Sequence, residues 1–247
     1  MKYNNSMAKR YSILALLVLL PVVVSPADDT TGTSPATTNV ASPSAPGSKT
    51  LAFSNDGGIG SDGAAKDANS YQVRIGELYA PGGEAYILPI RIPQLPDGQQ
   101  FATVHIRMQL LALSNESGGL ANADMYGLGV RDTDKVLATD YYQGAKPDPK
   151  ATLIQANFLT PTSKVRADAD TGPYVETSAD GDIALAKYLN DLCSKPGSAG
   201  KIVFLRISYD IDPIPDGNNA YMLLTSGAGG ENETPLITYT LGPVSKK

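Results

Sequence analysis

Hydrophobic and polar positions along this chain alternate mostly with the two-residue period of extended strands. The clearest stretch is Ala102–Leu113, where Val104, Ile106, Met108 and Leu110 fall on one face and Thr103, His105, Arg107 and Gln109 on the other. That pattern predicts a strand with one buried and one wet side. Tyr71–Tyr79 alternates in part and is closed by Pro81-Gly82-Gly83; Tyr86–Ile92 is closed by Pro93 and then by Leu95-Pro96-Asp97-Gly98, strong turn signals in both cases. Lys201–Tyr209 is apolar on both faces, as expected of a central strand covered on both sides. Ala123–Val130, Tyr174–Thr177, Ala220–Thr225 and Pro235–Leu241 read as shorter strands, Val136-Leu137-Ala138 leads on to Asp140, and Thr152–Leu159 fits either a strand or a helical turn. The period changes once. Leu185, Tyr188, Leu189 and Leu192 recur at helix spacing, Ser178 or Asp180 can cap the start, Asp182 suits the first turn and Lys195-Pro196-Gly197 ends it. This predicts one short amphipathic helix of about 11 residues. Roughly ten strands and one helix over residues 51–242 define an all-β fold, a single jelly-roll-type β-sandwich.

The first 50 residues carry a different pattern. Lys2, Lys9 and Arg10 precede an apolar run, Ile13–Val24, and Ser25-Pro26-Ala27 supplies small residues before Asp28. A basic start, a short apolar core and small residues at the junction read as a secretory signal peptide, 1–27, since a membrane-spanning helix needs about 18 or more apolar residues. The alternative is an uncleaved anchor, which Pro21 and the shortness of the run disfavour. Residues 28–50 are rich in Thr, Ser, Pro and Ala and nearly free of large apolar side chains, so they read as a disordered or extended linker. Residues 243–247 read as a C-terminal tail. The expected location is secreted or cell-surface, the periplasm included, with no membrane span after cleavage.

Charge and composition narrow the chemistry. The chain has 20 Lys+Arg against 25 Asp+Glu, one His, one Cys and no Trp; loss of the three basic leader residues takes the net charge from −5 to −8. An acidic chain lacks the long-range attraction that nucleic acid or an anionic bilayer needs, so neither is an expected partner. One Cys allows no intrachain disulfide, and one His with one Cys cannot build a zinc site. Any Ser-His-Asp or Cys-His mechanism would have to use His105, which lies on the polar side of a regular strand between Thr103 and Arg107 and reads as a surface residue. Cys193 reads as a small buried apolar residue. Carboxylates are plentiful, but Glu84, Asp124, Asp140 and Glu176 are explained by solvated faces or turn caps, and no spacing marks a glycosidase pair.

Tyr86–Ile92, the turn Leu95-Pro96-Asp97-Gly98 and the strand that follows resemble the core of secreted DNRLRE-type domains. The later order of GDIALAKYLN helix, VFLRIS strand, AYMLLTSG strand and PLITYTL strand is similar as well, so the resemblance spans roughly residues 67–241. It is a pattern of pleat and turns. It implies a jelly-roll sandwich on an exported bacterial protein, some relatives being carbohydrate-binding modules, including for acidic polysaccharides.

Sugar recognition combines aromatic faces with polar side chains. The candidates are Tyr126, Tyr141, Tyr142, Tyr174 and Tyr221 as stacking rings and Arg91, Arg107 and Arg131 as polar partners, although Tyr in a β protein mostly packs in cores and across strands. No cofactor is required. A structural Ca²⁺ is the one ion expected, in oxygen-rich loops at Asn55, Asp56 and Asp62, at Asp168 and Asp170, or at Asp210, Asp212 and Asp216. Asn115-Glu116-Ser117 and Asn232-Glu233-Thr234 match the glycosylation acceptor pattern. The expected function is that of an exported, non-catalytic module binding extracellular or cell-wall polysaccharide. The alternatives are a structural or adhesive surface subunit that self-associates through strand edges and, less favoured, a polysaccharide-degrading hydrolase or lyase.

Overall fold

The computed structural model describes residues 47–51, 56–66, 70–77, 83–116, 118–141, 151–167, 173–210, 220–227 and 235–244. The leader, most of the linker and the last three residues therefore lie outside the described residues, which belong to one compact unit, Pro43–Lys247.

The elements run β1 (Lys49–Thr50), β2 (Gly57–Gly60), β3 (Ala65–Lys66), β4 (Gln72–Gly76), β5 (Glu84–Arg91), β6 (Gln99–Asn115), β7 (Ala123–Arg131), β8 (Thr152–Leu159), β9 (Tyr174–Glu176), α1 (Ala179–Cys193), β10 (Ile202–Tyr209), β11 (Ala220–Thr225) and β12 (Leu236–Pro243). The described strands form one network in the order β1-β12-β6-β11-β4-β5-β10-β7-β8, with β2 and β3 attached through β5 and β9 through β6. Strands from the two ends of that order, β8 with Ile154 and Phe158 and β12 with Ile237 and Tyr239, enter the same core cluster. The sheet is therefore curled around its apolar face, and the expected all-β, sandwich-like class is what the chain adopts.

The long strand β6 organises the curl. It pairs with β12 over Gln99–Arg107 and with β11 over Leu110–Asn115, and Val104, Ile106, Met108 and Leu110 are buried as their alternation predicts. β10 lies between β5 and β7 and is buried along its whole length, the central strand its apolar composition predicts. The helix is longer than its periodicity suggests, 15 residues, with Ser178 as the cap accepting a hydrogen bond from Gly181 N–H at 3.1 Å. Its Leu185, Leu189 and Leu192 close the core over β6, β7 and β8.

Several expectations change. Residues 57–66 form the small β2–β3 hairpin where Gly and Asp predict only a loop, and Thr152–Leu159 is a strand. Residues 138–140 form a single 3-10 turn. Among the described residues pairing starts at Lys49, inside the expected linker, where β1 docks on β12 opposite Thr238 and Tyr239. Gln109, assigned to the wet face, is only 1% exposed because Arg166 reaches over it, Nη1 donating to Gln109 Oε1 at 3.0 Å. Asp124 and Asp140 are buried rather than solvated.

Candidate functional site

Alternation sends Thr103, His105 and Arg107 of β6 away from the core, and register fixes what stands beside them. Thr103 faces Thr240, with hydroxyls 2.7 Å apart; His105 faces Thr238; Arg107 lies between Leu236 of β12 and Glu176 of β9; Gln109 faces Tyr174. Just past β9, Thr177 N–H donates to Ile106 O at 2.9 Å while its Oγ1 accepts from Ile106 N–H at 3.0 Å, so β9 is held in this register by main chain and side chain together.

Two of the candidate sugar-binding residues meet on this face. The Arg107 guanidinium lies over the Tyr174 ring, 4.7 Å from its centroid, a cation–π contact. One rung away, His105 Nδ1 is 3.1 Å from both Asp182 carboxylate oxygens and 3.2 Å from Thr177 Oγ1, while Nε2 is 3.9 Å from Glu176 Oε1. The Thr177 hydroxyl also donates to Asp182 Oδ1. The His105 side chain is one-third exposed, a half-buried residue tying the first turn of α1 to the sheet. Thr177 and Asp182 share one ring nitrogen. A nucleophile–base–orienter relay instead puts the nucleophile and the acid on opposite nitrogens.

The other candidates fall elsewhere. Tyr126 is buried on the second face of the β7–β10 pair, under the Arg206 guanidinium at 5.0 Å, and its hydroxyl donates to Asp124 Oδ2 at 2.9 Å. Arg131 forms a two-pronged ion pair with buried Asp140, Nη1 to Oδ2 at 2.9 Å and Nη2 to Oδ1, and lies 4.0 Å from the Phe204 ring centroid. Asp140 also accepts from Leu137 N–H at 2.7 Å, a turn cap made by a buried carboxylate. Tyr141 packs with Leu128 and Val136 against the Ile59, Ile87 and Phe204 cluster. Tyr221 lies under Arg74 at 5.7 Å, and Arg91 Nη1 donates to Gly200 O at 2.9 Å. Arg131 and Tyr141 thus serve the packing of this second apolar cluster, Tyr126 is engaged by Arg206 and Asp124, and Tyr174 and Arg107 stand apart on the outer face.

Of the expected calcium ligands, Asn55, Asp168, Asp170, Asp212 and Asp216 lie outside the described residues, as does Tyr142. Asp56 Oδ2 receives the Tyr86 hydroxyl at 2.5 Å and Gly227 N–H at 2.7 Å. Burial pushes its carboxyl above the usual aspartate range, with those two hydrogen bonds pulling the other way. Asp62 Oδ1 accepts from Ala64 N–H at 2.9 Å in a tight turn. Burial, and then the nearby Asp124 charge, raise Asp210. Among the described residues no three His, Cys, Asp or Glu side chains converge as a metal-binding group.

A cleft of about 610 Å³ opens at one end of the fold between residues 92–100 and 190–199. Gln94, Asp97, Gln99, Gln100 and Lys195 line it and, among the described residues, no aromatic ring does. Asn190 holds its wall by clamping the Phe101 main chain, accepting from its N–H at 2.9 Å and donating to its carbonyl at 2.8 Å. Cys193 borders it, its thiol pushed up to about 11 by burial and so neutral. Without a ring to stack on a sugar, this cleft is less suited to pyranose recognition than the outer face.

The chain matches no protein-family model and no curated protein. Among the described residues no helix is long and apolar enough to cross a membrane. The alternation of β6 already placed Thr103, His105 and Arg107 together; the roles of Glu176, Asp182 and Thr240 were not readable, since only strand register brings them in.

Proposed function

We propose that this is an exported, non-catalytic β-sandwich that binds extracellular or cell-wall polysaccharide through the outer face of β12, β6 and β9. The observation that carries this reading is the Arg107–Tyr174 pair, the guanidinium 4.7 Å from the ring centroid and both side chains half-buried, on the same face of β6 as Thr238 and, farther along the strand, the Thr103–Thr240 rung. A ring paired with a guanidinium, with threonine hydroxyls farther along the same strand face, offers a pyranose an apolar surface and hydrogen-bonding partners. The likeness to secreted DNRLRE-type domains and the signal-peptide pattern of residues 1–27 support the same reading.

Assembly through the two ends of the strand order is less favoured by those ends, β3 and β9 being the other strands that pair on one side only among the described residues. β1 offers only two residues, and β8, at the other end of the order, pairs irregularly with β7 and carries Asn157 at φ 53°, a left-handed residue that breaks the regular spacing a docking strand would need. The test is a pull-down of the full chain on insoluble polysaccharides, with light scattering on the same sample. Saturable binding by a monomer supports the proposal. Absence of binding together with concentration-dependent assembly replaces it with the structural-subunit reading.

A further inference from the structure

The start of β7, the end of β8 and the end of β10 meet at one corner of the sheet, far in character from the outer face of β6. We propose that this corner binds a Ca²⁺ ion through the carboxylates of Asp124 and Asp210 and the hydroxyl of Ser208. Register brings the three together. Ser208 of β10 stands opposite Asp124 of β7; Asp210 follows two positions on, and its N–H donates to Asn122 O at 3.0 Å, continuing the ladder past the strand. Along β10, Val203, Leu205 and Ile207 enter the main core, while Ile202 and Phe204 enter the second cluster, so Ser208 and Asp210 project on the second face. Asp124 lies on that face too, between Ala123 and Met125 of the main core and bonded to the Tyr126 hydroxyl. Diagonal neighbours across an antiparallel pair are roughly 7 Å apart, and the Asp124 charge helps to raise Asp210.

Ser208 supplies an independent sign of a ligand. It is fully buried, and its Oγ, flanked by both carboxylates, has no hydrogen-bond partner among the described residues. A buried hydroxyl without a partner is costly, and a cation held by the two carboxylates would take its lone pair. Asp124 is also fixed in place. Its Oδ1 accepts from Asn157 N–H at 2.7 Å and its Oδ2 from the Tyr126 hydroxyl at 2.9 Å, which leaves each oxygen a further lone pair. The basic group on this face is Arg206, whose guanidinium lies over the Tyr126 ring at 5.0 Å and whose Nη1 donates to Asp140 O at 3.2 Å. Among the described residues neither Asp124 nor Asp210 forms an ion pair. Two neighbouring carboxylates and a neutral oxygen, with no nitrogen or sulfur ligand, select a hard cation. The irregular corner, where β8 shifts register beside Asp124, suits the flexible coordination of Ca²⁺ better than the strict octahedron of Mg²⁺. Few protein ligands, with water in the remaining positions, predict a weak site with Kd on the order of 10⁻⁴–10⁻³ M.

Isothermal titration and thermal melts of the full chain, freed of cations with EGTA, test this with CaCl₂ and MgCl₂. The expected result is saturable Ca²⁺ binding in that range and a higher Tm in millimolar CaCl₂, with Mg²⁺ bound about tenfold more weakly or less. Asp210→Asn should weaken Ca²⁺ binding by about tenfold or more, and Asp62→Asn, in the β2–β3 turn, should leave it unchanged. Ser208→Ala should weaken it severalfold yet leave the Tm in EGTA unchanged or higher, because it removes a hydroxyl that has no partner without the ion. If Asp210→Asn does not fold, the Ser208→Ala titration decides. No Ca²⁺ binding by the parent chain, or binding that Asp210→Asn and Ser208→Ala leave within about twofold, would overturn the site. Mg²⁺ bound as tightly as Ca²⁺ would overturn the choice of ion.

Discussion

The Tyr188 ring of α1 lies so close to Gly127 of β7 that a Cβ there would meet ring carbon Cζ at 2.2 Å. The helix can settle onto the sheet only because this position has no side chain, and the contact is fastened by Gly129 N–H donating to the Tyr188 hydroxyl at 2.6 Å. Burial holds that phenol at about 12, so it stays protonated.

Gly127→Ala is therefore expected to destabilise the fold by about 3 kcal/mol, since neither a strand backbone nor a packed ring can yield by that distance. Urea unfolding measures it. Tyr188→Phe, which removes only the acceptor for Gly129, should cost about 1 kcal/mol. A Gly127→Ala protein as stable as the parent would mean that α1 is not seated on β7 as described.

Asp56 makes a pH prediction. Its carboxyl titrates above the usual aspartate value in the folded chain because it is buried, so the stability it contributes is fullest below the unfolded value, about pH 4. That contribution falls as pH rises through the folded value. Asp56→Asn removes this dependence. Relative to the parent, the variant should gain stability between pH 4 and pH 7 in paired denaturant melts; parallel curves would contradict the buried position.

The same carboxylate depends on its donors. Tyr86→Phe withdraws the hydroxyl bonded to Asp56 Oδ2 and leaves a buried acid with Gly227 N–H at 2.7 Å as its remaining donor of the two. A loss of about 2 kcal/mol at pH 7 is expected. It should shrink at pH 4, where the acid can take up a proton, and thermal melts at both pH values read the difference.

Arg131→Ala should cost about 3 kcal/mol, because it strands the buried carboxylate of Asp140. In the double variant with Asp140→Asn the loss should be smaller than the sum of the single losses, a coupling read by a double-mutant cycle. Additive losses would show that the pair is not fastened as the geometry has it.

How much was readable in the chain follows from which interactions are local. β6 and α1 were legible because alternation and the 3.6-residue repeat are written into neighbouring residues, and β10 because an apolar run on both faces has one natural place in a sheet. The β2–β3 hairpin was not, since Gly57, Gly58 and Gly60 carry a turn signature and are strand only because β5 offers them a partner. Asp140 was legible as a turn cap, which it is through Leu137 N–H, but its burial was not, since that depends on Arg131 at the end of β7 closing over it. On the outer face, Arg107 and Tyr174 were each visible as residue types, but their meeting depended on β9 finding its register against β6. Long-range pairing leaves no local period to read.

β9 runs into the helix cap with only Thr177 between Glu176 and Ser178, and Asp182, in the first turn of α1, reaches back to His105 on the sheet. The chain thus carries a built-in gauge. Anything that settles on Tyr174 and quiets this corner also steadies the first turn of the one helix described, so slowed amide exchange at residues 179–182 would report occupancy without any label on the ligand.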